Sequence, residues 1–181
     1  MEKYDNWIAD LISTIGAGKV DIVLEPDDLA IVPYATTVDG ELDWCQPGEA
    51  DPATAEMERY AMTRNAITVL KANFGTKVYI DGSHADWVPP REMATRLLRA
   101  NVQDADGFFT NVSNFLKTER QIGHCERVAK RVFWGLEGND MSDCKDDDAF
   151  YEENVDSLIA EKGDDDVPHC IIDTSRNAND V

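Results

Sequence analysis

Four short apolar runs, each ending abruptly in polar residues, constrain this chain more than any other feature. The first is Val20-Asp21-Ile22-Val23-Leu24, which stops at Glu25-Pro26-Asp27-Asp28. The second is Val78-Tyr79-Ile80, followed by Asp81-Gly82-Ser83-His84-Ala85-Asp86-Trp87. Gly107-Phe108-Phe109 leads into Thr110-Asn111-Val112-Ser113-Asn114, and Cys170-Ile171-Ile172 into Asp173-Thr174-Ser175-Arg176-Asn177. A buried strand with a polar tip is how barrels and open α/β sheets present chemical groups at one rim. Helical patterns separate the runs. Trp7, Ile8, Leu11, Ile12 and Ile15 recur at helical spacing before Gly16 and Gly18.

A second helix is expected from about Ala53 to Asn73, carrying Met57, Tyr60, Ala61 and Leu70 inward, and a third over 91–100 after Pro89-Pro90. A fourth spans about 118–134 with Ile122, Cys125, Val128 and Val132 on one face, and a fifth about 149–161. Helix and strand therefore alternate four times, which predicts a parallel sheet with right-handed crossovers. The segment from Pro33 to Pro52, with Gly40, Pro47 and Gly48, reads as a long loop of the kind that serves as a lid or binding loop.

The chain of 181 residues suffices for one domain with a core, and its 43% hydrophobic content agrees. No apolar stretch is long enough to cross a bilayer, and Met1-Glu2-Lys3-Tyr4-Asp5 contains no apolar signal core. With 36 acidic against 17 basic residues, the net charge of -19 argues against a nucleic-acid partner, whose phosphates it would repel. The same excess fits a solvated surface suited to high salt. The runs Asp146-Asp147-Asp148 and Asp164-Asp165-Asp166 lack the alternation and glycine of an EF-hand loop, so they read as solvated loops. Cys45, Cys125, Cys144 and Cys170 show no Cys-x-x-Cys spacing, so no metal site is expected; Cys170, inside an apolar run, reads as a buried free thiol. No phosphate-binding glycine loop and no Gly-x-Ser-x-Gly elbow occurs, and no cofactor is called for.

The polar tips hold the candidate residues. Asp27 sits among Glu25 and Asp28, and clustered carboxylates raise one another's pKa, as a proton-holding group requires. It could equally cap a helix beginning at Leu29. Asp81, at a strand end before Gly82, is the less ambiguous acid. His84 is either a ligand, a sugar hydrogen-bonder or a loop residue. Trp87 is either a stacking platform or a loop anchor. Asn111 and Asn114 can both donate and accept, as hydroxyl-rich ligands demand, or form turns. Asp173 and Arg176 read as an ion pair that orients the rim.

Taken together, Leu24-Glu25-Pro26-Asp27-Asp28-Leu29-Ala30, Tyr79-Ile80-Asp81-Gly82-Ser83-His84-Ala85-Asp86-Trp87, Thr110-Asn111-Val112-Ser113-Asn114-Phe115 and Ile171-Ile172-Asp173-Thr174-Ser175-Arg176-Asn177 resemble the successive motifs of glycoside hydrolase family 6. The resemblance runs from about Tyr4 to Asn179. It implies a distorted (β/α) barrel and hydrolysis of β-1,4-glucan with inversion, in proteins that are extracellular. It also implies Asp27 as general acid, Asp81 as its supporting aspartate, and His84 and Trp87 on the leaving-group side of the cleft. Asn111, Asn114 and Arg176 would shape the floor. The expected partner is β-1,4-glucan or a cello-oligosaccharide.

The departures from that pattern set a further expectation. The family's upstream Tyr-Asn-x-Pro-x-Arg-Asp-Cys strand and its downstream Lys-x-Pro-Gly-Glu-x-Asp-Gly strand have no counterpart in residues 1–181, and neither has a Trp-Cys pair usual after the Arg-Asn stretch. At Gly82-Ser83 the family commonly has Ala-Gly. Cys45 resembles half of a family disulfide. Residues 1–181 therefore read as a single partial catalytic domain without the first and last barrel strands, weakly active or inactive alone. Two other functions stay open: a non-catalytic glucan-binding remnant, and a metal-dependent hydrolase built on Asp27, Asp81, His84 and Asp86.

Overall fold

A computed structural model describes residues 2–142 and 147–176. It contains four parallel strands in the order β1-β2-β3-β4: Val20–Leu24, Thr76–Asp81, Gly107–Thr110 and Cys170–Ile172. The helices between and around them are α1 (Glu2–Ile15), α2 (Ala55–Lys71), α3 (Pro90–Arg99), α4 (Thr118–Leu136), α5 (Asp148–Phe150) and α6 (Asp156–Lys162). The α/β alternation expected from the four runs is present, and the sheet is an open arc rather than a closed barrel. Of the residues singled out above, Cys144, Asp146, Asn177 and Asn179 lie outside the described residues.

Because every pairing is parallel, all four polar tips emerge at one end. Leu24 pairs with Ile80, and Asp81 pairs with Phe109. Thr110 pairs with Ile172, so Asn111 and Asp173 follow together. β3 is buried along its whole length, as an inner strand covered on both faces must be. Its neighbour approaches closely: a Cβ on Gly82 would lie 2.4 Å from Phe108 Cδ2 and 2.7 Å from the Phe109 carbonyl oxygen. Glycine is needed there.

The core joins Ile80, Phe108 and Val78 of the sheet to Ile67 and Leu70 of α2, Met93 and Leu97 of α3, and Val128 and Val132 of α4. Two expected core positions face water instead. Met57 is exposed in the first turn of α2, where Ala55 is buried. Ile122 is exposed on α4, because Gln121 takes the inward slot one position earlier. The expected fifth helix is interrupted by a wider π turn at Tyr151–Val155 between α5 and α6. Cys170 is no free thiol: it forms a disulfide with Cys125, joining β4 to α4, while among the described residues Cys45 carries a free thiol.

Candidate active site

The rim begins with a strained turn. Glu25 and Asp27 adopt φ of 50° and 70°, in the left-handed region that residues with a Cβ seldom occupy. Asp28 N–H bonds the Glu25 carbonyl at 3.0 Å, and Ile31 N–H the Asp27 carbonyl at 3.0 Å. The chain from 25 to 31 is thus a compact turn, and no helix starts at Leu29 for Asp27 to cap. Asp28 is buried and committed: Arg59 pairs with its carboxylate and Thr63 Oγ1 donates to it at 2.6 Å. Asp27 is half-buried, between the committed Asp28 and solvent. Tyr4, its hydroxyl beside Glu25, is pushed upward in pKa by burial and then by Glu25 and Asp28.

Asp81 lies beneath that turn and is 2% exposed. Its Oδ2 accepts from Ala30 N–H and its Oδ1 from Ser83 N–H, each at 2.9 Å. Burial pushes its pKa up to about 7; the two N–H donors oppose the rise, and the charges of Asp27 and Asp28 add to it. Asp27 and Asp81 therefore sit together at one end of adjacent parallel strands. Burial keeps Asp81 from reaching a ligand directly, while Asp27 is open to one.

The loop after Asp81 presents His84 and Trp87 with ring centroids 5.6 Å apart. Asp86 N–H donates to His84 Nδ1 at 3.2 Å, which leaves the proton of a neutral ring on Nε2. Burial lowers the His84 pKa, opposed by Asp86 and Asp27, so the neutral ring is favoured near neutrality. Asp86 itself is held by both Arg120 nitrogens, one at 2.8 Å. Behind the loop, the buried His124 bonds the Gly82 carbonyl through Nε2 at 3.0 Å.

Asn111 is brought to the rim but not onto it. It is buried, with φ of 68°, and its Nδ2 donates to the Asp173 carbonyl at 2.9 Å and the Leu116 carbonyl at 3.2 Å. Its Oδ1 accepts from Leu116 N–H at 3.2 Å. That amide staples β3's tip to β4's and has no face left for a ligand. Asn114 is half-buried in the turn above, its N–H on the Asn111 carbonyl at 3.0 Å. Arg176 is exposed, pairs with Asp173 at 3.7 Å and lies over the Phe115 ring at 5.4 Å. The rim ion pair expected from the sequence is therefore in place.

Sequence reasoning missed three residues that build this site: Arg96, Glu92 and His124. Each is a polar residue on the buried stripe of a helix, one position before Met93, Leu97 or Cys125. An arginine four residues after a glutamate on an apolar face was the available signal.

Among the described residues no three His, Cys, Asp or Glu side chains converge as a metal site. No described helix is long and apolar enough to cross a membrane.

Comparison with known proteins agrees with the fold. Endoglucanase 1 of Streptomyces halstedii is 33% identical over 126 residues, covering 69% of this chain and 34% of that protein. Endoglucanase A of Thermobispora bispora is 31% identical over 130 residues, covering 71% and 25%. The solved endoglucanase Cel6 of Mycobacterium tuberculosis, in complex with a methyl cellobiosyl-4-deoxy-4-thio-β-D-cellobioside, superposes with a TM-score of 0.63 at 28% identity. That match covers 98% of this chain and 45% of the other. The GH6 enzyme of Orpinomyces sp. Y102, at a TM-score of 0.64 and 16% identity, shares the fold. The chain spans about a quarter to a third of the length of the curated relatives it matches. The model of the glycosyl hydrolases family 6 matches residues 1–181, and the chain belongs to that family.

Proposed function

We propose that this chain carries the acid side of an inverting β-1,4-glucan hydrolase site. The observation that carries the reading is the half-buried Asp27 beside the buried, two-donor Asp81. In this reading Asp27 protonates the leaving glycosidic oxygen. Asp81 supports it from beneath, its carboxyl tied to the acid turn through Ala30 N–H and to the next loop through Ser83 N–H, and it accepts no ligand itself. Trp87 offers a ring to a sugar face, and the neutral His84 offers Nε2–H to a hydroxyl. Asn114 and Arg176 line the floor, and Asn111 holds the floor's two strands together from below.

An inverting mechanism also needs a base about 6.5–9.5 Å from the acid, with room for water. Among the described residues the other rim carboxylates are engaged: Glu25 with the Tyr4 hydroxyl, Asp28 with Arg59, Asp86 with Arg120, Asp173 with Ser175 N–H and Arg176. This supports the expectation that residues 1–181 bind glucan and turn it over slowly or not at all. The same commitment of Asp86 removes a donor from the metal-dependent reading. The Cys125–Cys170 disulfide supports an extracellular location, where such bonds persist.

The test is cellohexaose titrated into the 181-residue chain, followed by tryptophan fluorescence and calorimetry, with reducing-sugar release measured in parallel. Saturable binding is expected, weakened about five- to thirtyfold in Trp87→Ala, as loss of one stacking platform worth about 1–2 kcal/mol implies. Sugar release should not exceed that of Asp27→Ala. Absence of binding would sink the glucan reading, and release abolished by Asp27→Ala would overturn the expectation of an idle site.

A further inference from the structure

A buried ionic knot lies behind the acid turn. Arg96 of α3 is 3% exposed, yet all of its nitrogens are used. Its Nη1 donates to the carbonyls of Leu29 at 2.9 Å and Ala30 at 3.0 Å. Its Nη2 donates to Asp43 Oδ2 at 2.9 Å and its Nε to Glu92 Oε1 at 2.6 Å. The second Glu92 oxygen accepts from Val38 N–H at 2.7 Å. One guanidinium therefore joins three segments: helix α3, the turn after β1, and the long 33–52 loop.

Such a knot is poor value as a source of stability. Desolvating a cation and two carboxylates offsets most of their attraction, and a well-packed apolar side chain would stabilise as well. What no apolar residue supplies is a planar guanidinium fork whose Nη1 reaches two successive carbonyls while Nη2 and Nε hold the two carboxylates. Gripping Leu29 and Ala30 fixes the peptide plane between and after them. Ala30 is also the residue whose N–H reaches Asp81 Oδ2. The same short segment thus faces Arg96 with its oxygens and Asp81 with its nitrogen.

We infer that Arg96 is the positioning residue of the acid pair: its hold on Leu29 and Ala30 keeps the Ala30 N–H on Asp81 and Asp27 above it. Through Asp43 and Glu92 it ties the 33–52 loop to the same lock, so that loop and acid turn move together. The inference deepens the proposed function and rests on Asp27 and Asp81 being the working pair. Arg96 touches no ligand; it acts through the backbone of the turn. The charged groups facing it are Glu92 and Asp43, with the Tyr60 hydroxyl nearby, and those facing Asp81 are Asp27 and Asp28.

Arg96→Lys keeps the charge and loses the fork. In the isotopically labelled 181-residue chain, Ala30 amide exchange should quicken at least about tenfold. The Asp81 carboxyl midpoint, followed by carbon NMR, should rise by at least about half a pH unit as its Ala30 donor is withdrawn. Should Arg96→Lys fail to fold, Asp43→Asn and Glu92→Gln weaken the knot from either side and should move both readouts the same way by less. A folded Arg96→Lys chain with unchanged Ala30 exchange and an unchanged Asp81 midpoint overturns the inference, as does unchanged behaviour in both milder variants. Neither readout uses a sugar, so absence of cellohexaose binding would count against the proposed function and leave this result standing.

Discussion

Asp81 ties the site to the stability of the chain. Its ordinary carboxyl pKa of 3.8 is raised to about 7 in the folded state, chiefly by burial. Below the lower value both folded and unfolded chains hold the proton, and burying the group costs little. Between the two values the unfolded chain ionises freely while the folded one keeps its proton, so stability falls as pH rises. Above about 7 the loss levels off, at no more than about 4 kcal/mol. Fully present in acid and lost through neutrality, this contribution runs opposite to that of an ordinary salt-bridged aspartate. Asp81→Asn removes the titration. Its melting temperature should therefore fall less between pH 5 and pH 8 than that of the wild type, by roughly 5 °C or more. Equal pH dependence in the two proteins would show that Asp81 is not buried as an acid.

The elements were legible from the sequence where one residue type decides the outcome. The strands announced themselves because Ile22, Ile80, Phe108 and Ile171 sit in runs too short and too apolar for surface helices. The polar tips of all four strands followed from that, since parallel pairing can only gather them at one end. What escaped was decided by partners distant in sequence. Cys125 on α4 and Cys170 on β4 lie 45 residues apart, and four cysteines allow three pairings with nothing local to choose between them. Asn111 looked like a ligand residue because its donor and acceptor fit hydroxyls as well as they fit the Leu116 and Asp173 backbone. The disulfide has a consequence of its own. β4 is an edge strand only three residues long, and its bond to α4 closes a loop that chain-entropy arguments value at about 4 kcal/mol. Cys125→Ala/Cys170→Ala should lower the urea midpoint accordingly and quicken amide exchange in β4 before that of β2. An unchanged midpoint would mean that packing alone holds the edge.

The molecule as a whole is an open sheet carrying a large excess of negative charge. Of its 17 lysines and arginines, at least nine are already bound in local ion pairs, among them Arg59, Lys71, Arg96 and Arg120. The net charge of -19 is thus spread over carboxylates with few cations left to offset them. Two effects of added salt then oppose each other. Screening weakens the surface pairs, but an exposed pair contributes only about 0–1 kcal/mol, and the buried Arg96 knot is largely shielded from ions. Screening also relieves the mutual repulsion of the excess carboxylates, which acts across the whole surface and disfavours the compact state. Going from about 0.01 M to 1 M NaCl shortens the screening length from about 30 Å to 3 Å, from the span of the domain to that of a single contact. Repulsion, the longer-ranged term, should lose more, so the melting temperature followed by circular dichroism should climb steadily across that range. A fall would mean that the local pairs, rather than the collective charge, govern how this surface is tolerated.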